Sequence, residues 1–122
     1  MSGLPVRRSA EREGGSRTNA GKTDRLLTPA AATLLGGALR DAVVAGTGRT
    51  LGAHPGRIAG KTGTAEVANA PSHAWFVGFA PHRGEKQIAF AVLFEQAGYG
   101  GSVAAPAAGE IVTAAAARGL IE

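Results

Sequence analysis

The stretch IAGKTGTAEV-ANAPSH-AWFVGFA-PHRGEK-QIAFAVLFE, residues 58–95, is cut by its turn residues into three extended segments, and the topology follows from them. Ile58 to Val67 reads as a strand in spite of Gly60 and Gly63, and glycines inside a strand mark places where a ligand or another backbone comes close. After the turn cluster Asn69-Ala70-Pro71-Ser72, the segment Ala74 to Ala80 reads as a second strand with Trp75, Val77 and Phe79 on one face. The polar turn Pro81-His82-Arg83-Gly84-Glu85-Lys86 leads into a third, Gln87 to Glu95. There Ile88, Phe90, Val92 and Phe94 alternate with Ala89, Ala91 and Leu93. With both faces apolar, this strand is expected to be central and covered on both sides. Trp75, Phe76 and Phe79 are assigned to the core.

Outward from this stretch the pattern becomes helical. Thr28-Pro29 is a helix start, a hydroxyl at the N-cap followed by proline at the first helical position. Ala31, Leu34, Leu35, Ala38, Leu39, Ala42 and Val43 then recur at helical spacing, and Gly46 closes the helix. Within it, Gly36-Gly37 lowers helix propensity by roughly 1 kcal/mol per glycine and points to close packing or a bend. A loop opening at Gly46-Thr47-Gly48 runs to Arg57. On the other side, a glycine-rich loop from Gln96 to Ser102 holds the only tyrosine, Tyr99. Pro106 is expected to start a closing helix that runs to about Arg118, with Gly119 as its stop. Helix, three strands on short links, helix: short links imply antiparallel neighbours. The expected fold class is therefore α+β, a three-stranded antiparallel sheet flanked by an N-terminal and a C-terminal helix.

The chain has 122 residues, room for one domain of ordinary size. Its charge is unevenly placed. Residues 1–25 carry six positive side chains against three negative, whereas the remainder carries seven against six. The basicity thus belongs to a Gly, Ser, Arg and Glu-rich stretch, read as a disordered leader over 1–25 ahead of a domain over 26–122. That leader has no aromatic residue to stack on a base, and the body has no basic stripe, which argues against nucleic acid. No apolar run approaches the ~20 residues of a membrane span, and the first 25 residues hold no apolar core of an export signal. Without cysteine there is no disulfide, thiolate zinc site or cysteine nucleophile. His54, His73 and His82 are scattered and make no metal site; His54 and His82 read as loop residues. No metal and no cofactor is expected.

Gly21-Lys22-Thr23 and Gly60-Lys61-Thr62 imitate the end of a phosphate-binding loop. Such a loop needs glycine five residues earlier, where Ser16 and Pro55 stand, and the second copy continues into a strand instead of a helix. Lys61-Thr62-Gly63 is better read as a Lys-Thr-Gly motif of penicillin-binding proteins and serine β-lactamases. Its context is what makes it specific. Gly46-Thr47-Gly48 precedes it, Ala74-Trp75-Phe76-Val77-Gly78-Phe79-Ala80-Pro81 follows it, and a hydrophobic strand and an alanine-rich helix come after. Together, over residues 27–121, these resemble the C-terminal part of the transpeptidase domain of a class B (monofunctional) penicillin-binding protein, a fragment of the three-layer β-lactamase/transpeptidase-like fold.

The resemblance implies a strand that lines one wall of an active site, with a cell-wall stem peptide or a β-lactam lying along it. It gives catalytic roles to Lys61, as a fixed positive field supporting proton transfer, and to Thr64, whose backbone N–H would be one of two oxyanion donors. Thr62 and Thr64 would hold the ligand carboxylate through their hydroxyls, and Gly63 would leave room for the acyl group. Taken without its flanks, Lys61 would be a solvated edge-strand lysine and the two threonines ordinary strand formers. Glu66 and His73 read equally as cleft residues or as an exposed strand-end pair.

The same family needs a serine in Ser-x-x-Lys and a Ser-x-Asn, and none of the five serines, Ser2, Ser9, Ser16, Ser72 and Ser102, fits either. The expectation is a C-terminal fragment that is inactive alone. It would work beside the missing N-terminal part of the domain, carry a leader foreign to the family, and leave one sheet face partly bare, with marginal stability and a tendency to associate. By resemblance its place is the cell envelope, on the outer face of the cytoplasmic membrane. A non-catalytic remnant that still binds peptide and a small basic nucleic-acid-binding protein are the competing readings.

Overall fold

A computed structural model describes residues 24–122. The expected disordered leader therefore falls, for residues 1–23, outside the described residues. Helix α1 spans Pro29–Ala45. Its ends are those expected: the Thr28 hydroxyl accepts from the Ala31 amide at 3.1 Å, and the Gly46 amide closes on the Ala42 carbonyl. A short 3₁₀ turn, Arg49–Leu51, then drops Leu51 into the core.

Strands β1 (Ala59–Val67), β2 (Ala70–Ala80) and β3 (Ile88–Phe94) form an antiparallel sheet in the order β1-β2-β3. The β1–β2 connection is tighter than the turn cluster suggested. Asn69, at φ 56°, supplies the left-handed residue of a two-residue turn, and β2 starts at once with Ala70. Pro71 is tolerated there because it sits in a bulge: the register passes from Ala65↔His73 to Val67↔Ala70, so Pro71 and Ser72 together face Glu66.

One sheet face carries the core. Thr62, Phe76 and Val92 share a cross-strand row, as do Thr64, Ala74 and Phe94. Gly60 and Gly78 face each other beneath the Phe76 ring, where a side chain on either would collide with it, and Phe76 stacks on Phe90 with ring centroids 6.0 Å apart. Helix α2, Gly100–Ala117, covers this face with Ala104, Ala105, Ala108, Val112 and Ala115, and Val43, Leu51 and Ile58 join the same cluster.

Three expectations need correction. Among the described residues β2 is central and β3 lies at an edge, with Ala89 and Ala91 exposed; an alternation of apolar residues on both faces does not itself supply a cover for each. Phe76 is fully buried, but Trp75 is 37% and Val77 46% exposed on the opposite face, and Phe79 is half-buried. The face expected to be bare is this one. Helix α2 starts at Gly100, not Pro106, and Pro106 lies inside it with an exposed side chain. Gly100 permits the earlier start. A Cβ there would strike the Gly63 and Trp75 carbonyl oxygens, so only glycine lets the helix rest on the β1–β2 ladder.

Candidate functional site

Strand β1 is paired on one side only among the described residues. The carbonyls of Ala59 and Val77 lie against Gly78 and Gly60 across the ladder, so the odd-numbered residues of β1 aim their backbone groups at β2. Antiparallel alternation then turns the N–H and C=O of Thr62 and Thr64 toward the open edge. Lys61, Thr64, Ala65 and Glu66 are exposed and Gly63 is half-buried. The motif is extended, and apart from the buried Thr62 its residues reach solvent.

Its side chains divide into two groups. Lys61 Nζ donates to Thr47 Oγ1 at 2.8 Å and to the Thr62 carbonyl at 3.2 Å, with Thr62 Oγ1 at 3.5 Å. Thr62, buried, donates its hydroxyl to the same Thr47 oxygen at 2.5 Å. Thr64 stands apart, its Oγ1 accepting from the Gly100 amide at the start of α2, 3.1 Å away. Tyr99, at the N-cap of that helix, makes no side-chain cap bond, so a strand residue supplies the missing acceptor. The oxygens that receive the ammonium are uncharged. A charge so held interacts with an anion ~4 Å away by about 4 kcal/mol at an effective dielectric near 20.

The structure thus joins Lys61 and Thr62 through Thr47, a residue outside the motif. In the sequence Gly46-Thr47-Gly48 is only a flank of the motif, and Gly100 belongs to a glycine-rich loop. A hydroxyl residue between two glycines, fourteen positions before the lysine, was the one available signal. Glu66 is exposed near the end of β1, and His73 is half-buried on β2, where its Nδ1 accepts from the Gln96 amide at 2.9 Å and ties the loop after β3 to β2. His54 is more than a loop residue. Its Nδ1 accepts from the Gly56 amide at 2.9 Å, so Nε2 carries the proton toward the Gly109 carbonyl at 3.0 Å and Thr113 Oγ1 at 2.8 Å, clasping the loop to α2. Burial, then the charges of Arg83, Arg40 and Arg57, holds His82 below the ordinary histidine range, against a smaller pull from Asp41. Among the described residues no group of three His, Asp or Glu side chains could hold a metal ion, and no helix is long and apolar enough to cross a membrane.

Comparison with known proteins supplies the relatives. The chain is 43% identical over 72 residues to the peptidoglycan D,D-transpeptidase PbpA of Mycolicibacterium smegmatis, covering 52% of this chain and 14% of that one. It is 38% identical over 82 residues to the peptidoglycan D,D-transpeptidase MrdA of Acinetobacter baumannii, covering 55% of this chain and 12% of that one. Among solved structures, the D,D-transpeptidase domain of a peptidoglycan glycosyltransferase from Eggerthella lenta superposes with a TM-score of 0.65 and 30% identity, over 88% of this chain and 26% of that chain. The chain therefore spans a small part of each of these proteins. The family match, described as the penicillin binding protein transpeptidase domain, covers residues 9–113 and so reaches into the stretch expected to be foreign to the family. With that match running over most of its length, onto a helix–sheet–helix unit of the corresponding fold, the chain belongs to the penicillin-binding protein transpeptidase domain family.

Proposed function

We propose that β1 is the substrate wall of a serine peptidoglycan D,D-transpeptidase site that takes the carboxylate end of a stem peptide, or a β-lactam. The observation that carries the reading is the open, extended run from Lys61 to Thr64 at the sheet edge. Lys61 supplies a held positive charge. Thr64 aims its backbone N–H at the edge as an oxyanion donor and, with its oxygen already accepting from Gly100, keeps its O–H proton for a carboxylate. Gly63 keeps the wall clear at the position of the acyl group. Thr62 faces Thr47, so its hydroxyl supports the lysine, and carboxylate contact falls mainly to Thr64. The chemistry calls for no metal or cofactor.

Acyl transfer also needs a nucleophile and its base within hydrogen-bond reach. No serine here sits in Ser-x-x-Lys. The reaction accordingly requires a segment that supplies Ser-x-x-Lys and Ser-x-Asn across the wall, in the cell envelope where peptidoglycan is built. The absence of that serine equally favours a second reading, a non-catalytic peptide-binding module.

Labelled penicillin and a peptide ending in D-Ala-D-Ala test both. The chain alone is expected to take no covalent label, while the peptide shifts the NMR amide signals of Thr62 to Thr64. Label appearing once the preceding part of a related transpeptidase domain is added supports the enzyme reading; peptide binding without label after that addition supports the module. Covalent label on this chain alone, or peptide-induced shifts clustered away from β1, overturns the proposal.

A further inference from the structure

Thr47 lies outside the Lys-Thr-Gly-Thr run, yet its oxygen is where two of that run's side chains meet. Lys61 Nζ reaches it at 2.8 Å, shorter than the 3.2 and 3.5 Å contacts with Thr62, and those come from the neighbouring residue on the same strand. The Thr62 hydroxyl reaches the same atom. Among the described residues Thr47 is therefore the one fixed point outside β1 against which the lysine side chain is held. Its own backbone is anchored: the amides of Gly46 and Gly48 on either side both donate to the Ala42 carbonyl, at 3.0 and 3.2 Å, and Gly48 rests on the buried Val43. Helix α1 thus sets where the threonine oxygen stands.

We infer that Thr47 is the positioning residue of this site, holding the Lys61 ammonium and the Thr62 hydroxyl in one arrangement along β1. A hydroxyl oxygen has two lone pairs, and two donors occupy them. The Thr47 O–H proton is then left to point elsewhere, and the ammonium, whose contact with Thr62 Oγ1 is at the limit of a hydrogen bond, keeps a proton for a ligand. A long, exposed lysine would otherwise sample many rotamers, and a charge spread over them stabilises an anion poorly. The functional meaning of the inference rests on the transpeptidase reading; the geometry does not.

The test uses the full chain with Thr47→Val, Thr47→Ala and Thr47→Ser, and exposed Lys86 as the internal reference. NMR of the lysine ammonium groups is expected to show a slowly exchanging, ordered Lys61 signal in the wild type and in Thr47→Ser. In Thr47→Val and Thr47→Ala that signal should become as mobile as that of Lys86, with the circular dichroism spectrum unchanged. Affinity for the D-Ala-D-Ala peptide should fall about tenfold in the valine and alanine variants and recover in the serine variant. A wild-type Lys61 as mobile as Lys86, or a Lys61 signal indifferent to loss of the hydroxyl, overturns the inference. If the wild type binds no peptide at all, the transpeptidase reading fails while the ammonium signal still decides the role of Thr47.

Discussion

Two threonines separated by one glycine in the same motif have different fates. Thr62 turns its hydroxyl inward to Thr47, whereas Thr64 is exposed and accepts from the first amide of α2. Replacing Thr64 with valine removes both a ligand donor and a helix-end acceptor. The expected result is a loss of about 1 kcal/mol of stability and roughly tenfold weaker peptide binding, with Thr64→Ser close to wild type; urea denaturation and peptide titration measure the two effects. At His82 the prediction concerns pH. Its native pKa lies below the 6.5 of the unfolded chain, so the unfolded state binds the proton more readily. Above 6.5 both states are neutral at this residue and it contributes nothing to pH dependence. As pH falls through 6.5 toward the lowered native value, stability declines, and below that value the loss is complete. His82→Asn should flatten this part of a plot of urea midpoint against pH between about 7 and 5. An undiminished slope would refute the assignment.

At the scale of elements, glycines that look alike in sequence have unlike neighbours. Gly37 has open space where a Cβ would be, in the interior of α1, while at Gly100 the same atom would strike two carbonyl oxygens. Gly37→Ala is expected to stabilise by about 0.5–1 kcal/mol. Gly100→Ala should destabilise by about 1–3 kcal/mol and lift the start of α2 away from Thr64. Equal effects of the two substitutions in chemical denaturation would contradict this account of α2. Both ends of α1 and the existence of three antiparallel strands were legible, because caps and alternation act within a few residues; which strand is central was not. The start of α2 was not. Gly100 and Gly101 carry no helical signal, Pro106 mimics a first position, and what seats the helix is a contact with strand residues 63, 64 and 75.

Across the whole molecule, α2 covers one sheet face and the other presents Trp75 and Val77, with Leu34 78% and Leu35 49% exposed on α1. Exposed apolar surface of this kind favours association. Sedimentation is expected to show mass rising with concentration, and Trp75→Thr with Val77→Thr to reduce it. A wild-type chain that stays monomeric over the same range, with a cooperative transition at high temperature, would contradict the prediction. The alternation in β2 puts Trp75 on one side and Phe76 on the other, in the sequence and in the structure alike. Nothing in the alternation says which side another element will cover, so assigning both rings to the core was wrong for Trp75.

Short-range signals suffice for the helix start at Thr28-Pro29, its stop at Gly46, three antiparallel strands, and a lysine, two threonines and a glycine on the first of them. Each of these follows from forces local to the chain: a side chain capping an amide three residues on, a pleat of period two, a residue in the left-handed region at a turn. Which sheet face is buried, the meeting of Lys61 and Thr62 on Thr47, and the capping by Thr64 of a helix beginning 36 residues later emerge only in the folded chain. Those outcomes depend on packing between distant segments, and short-range spacing carries no record of which segments will meet.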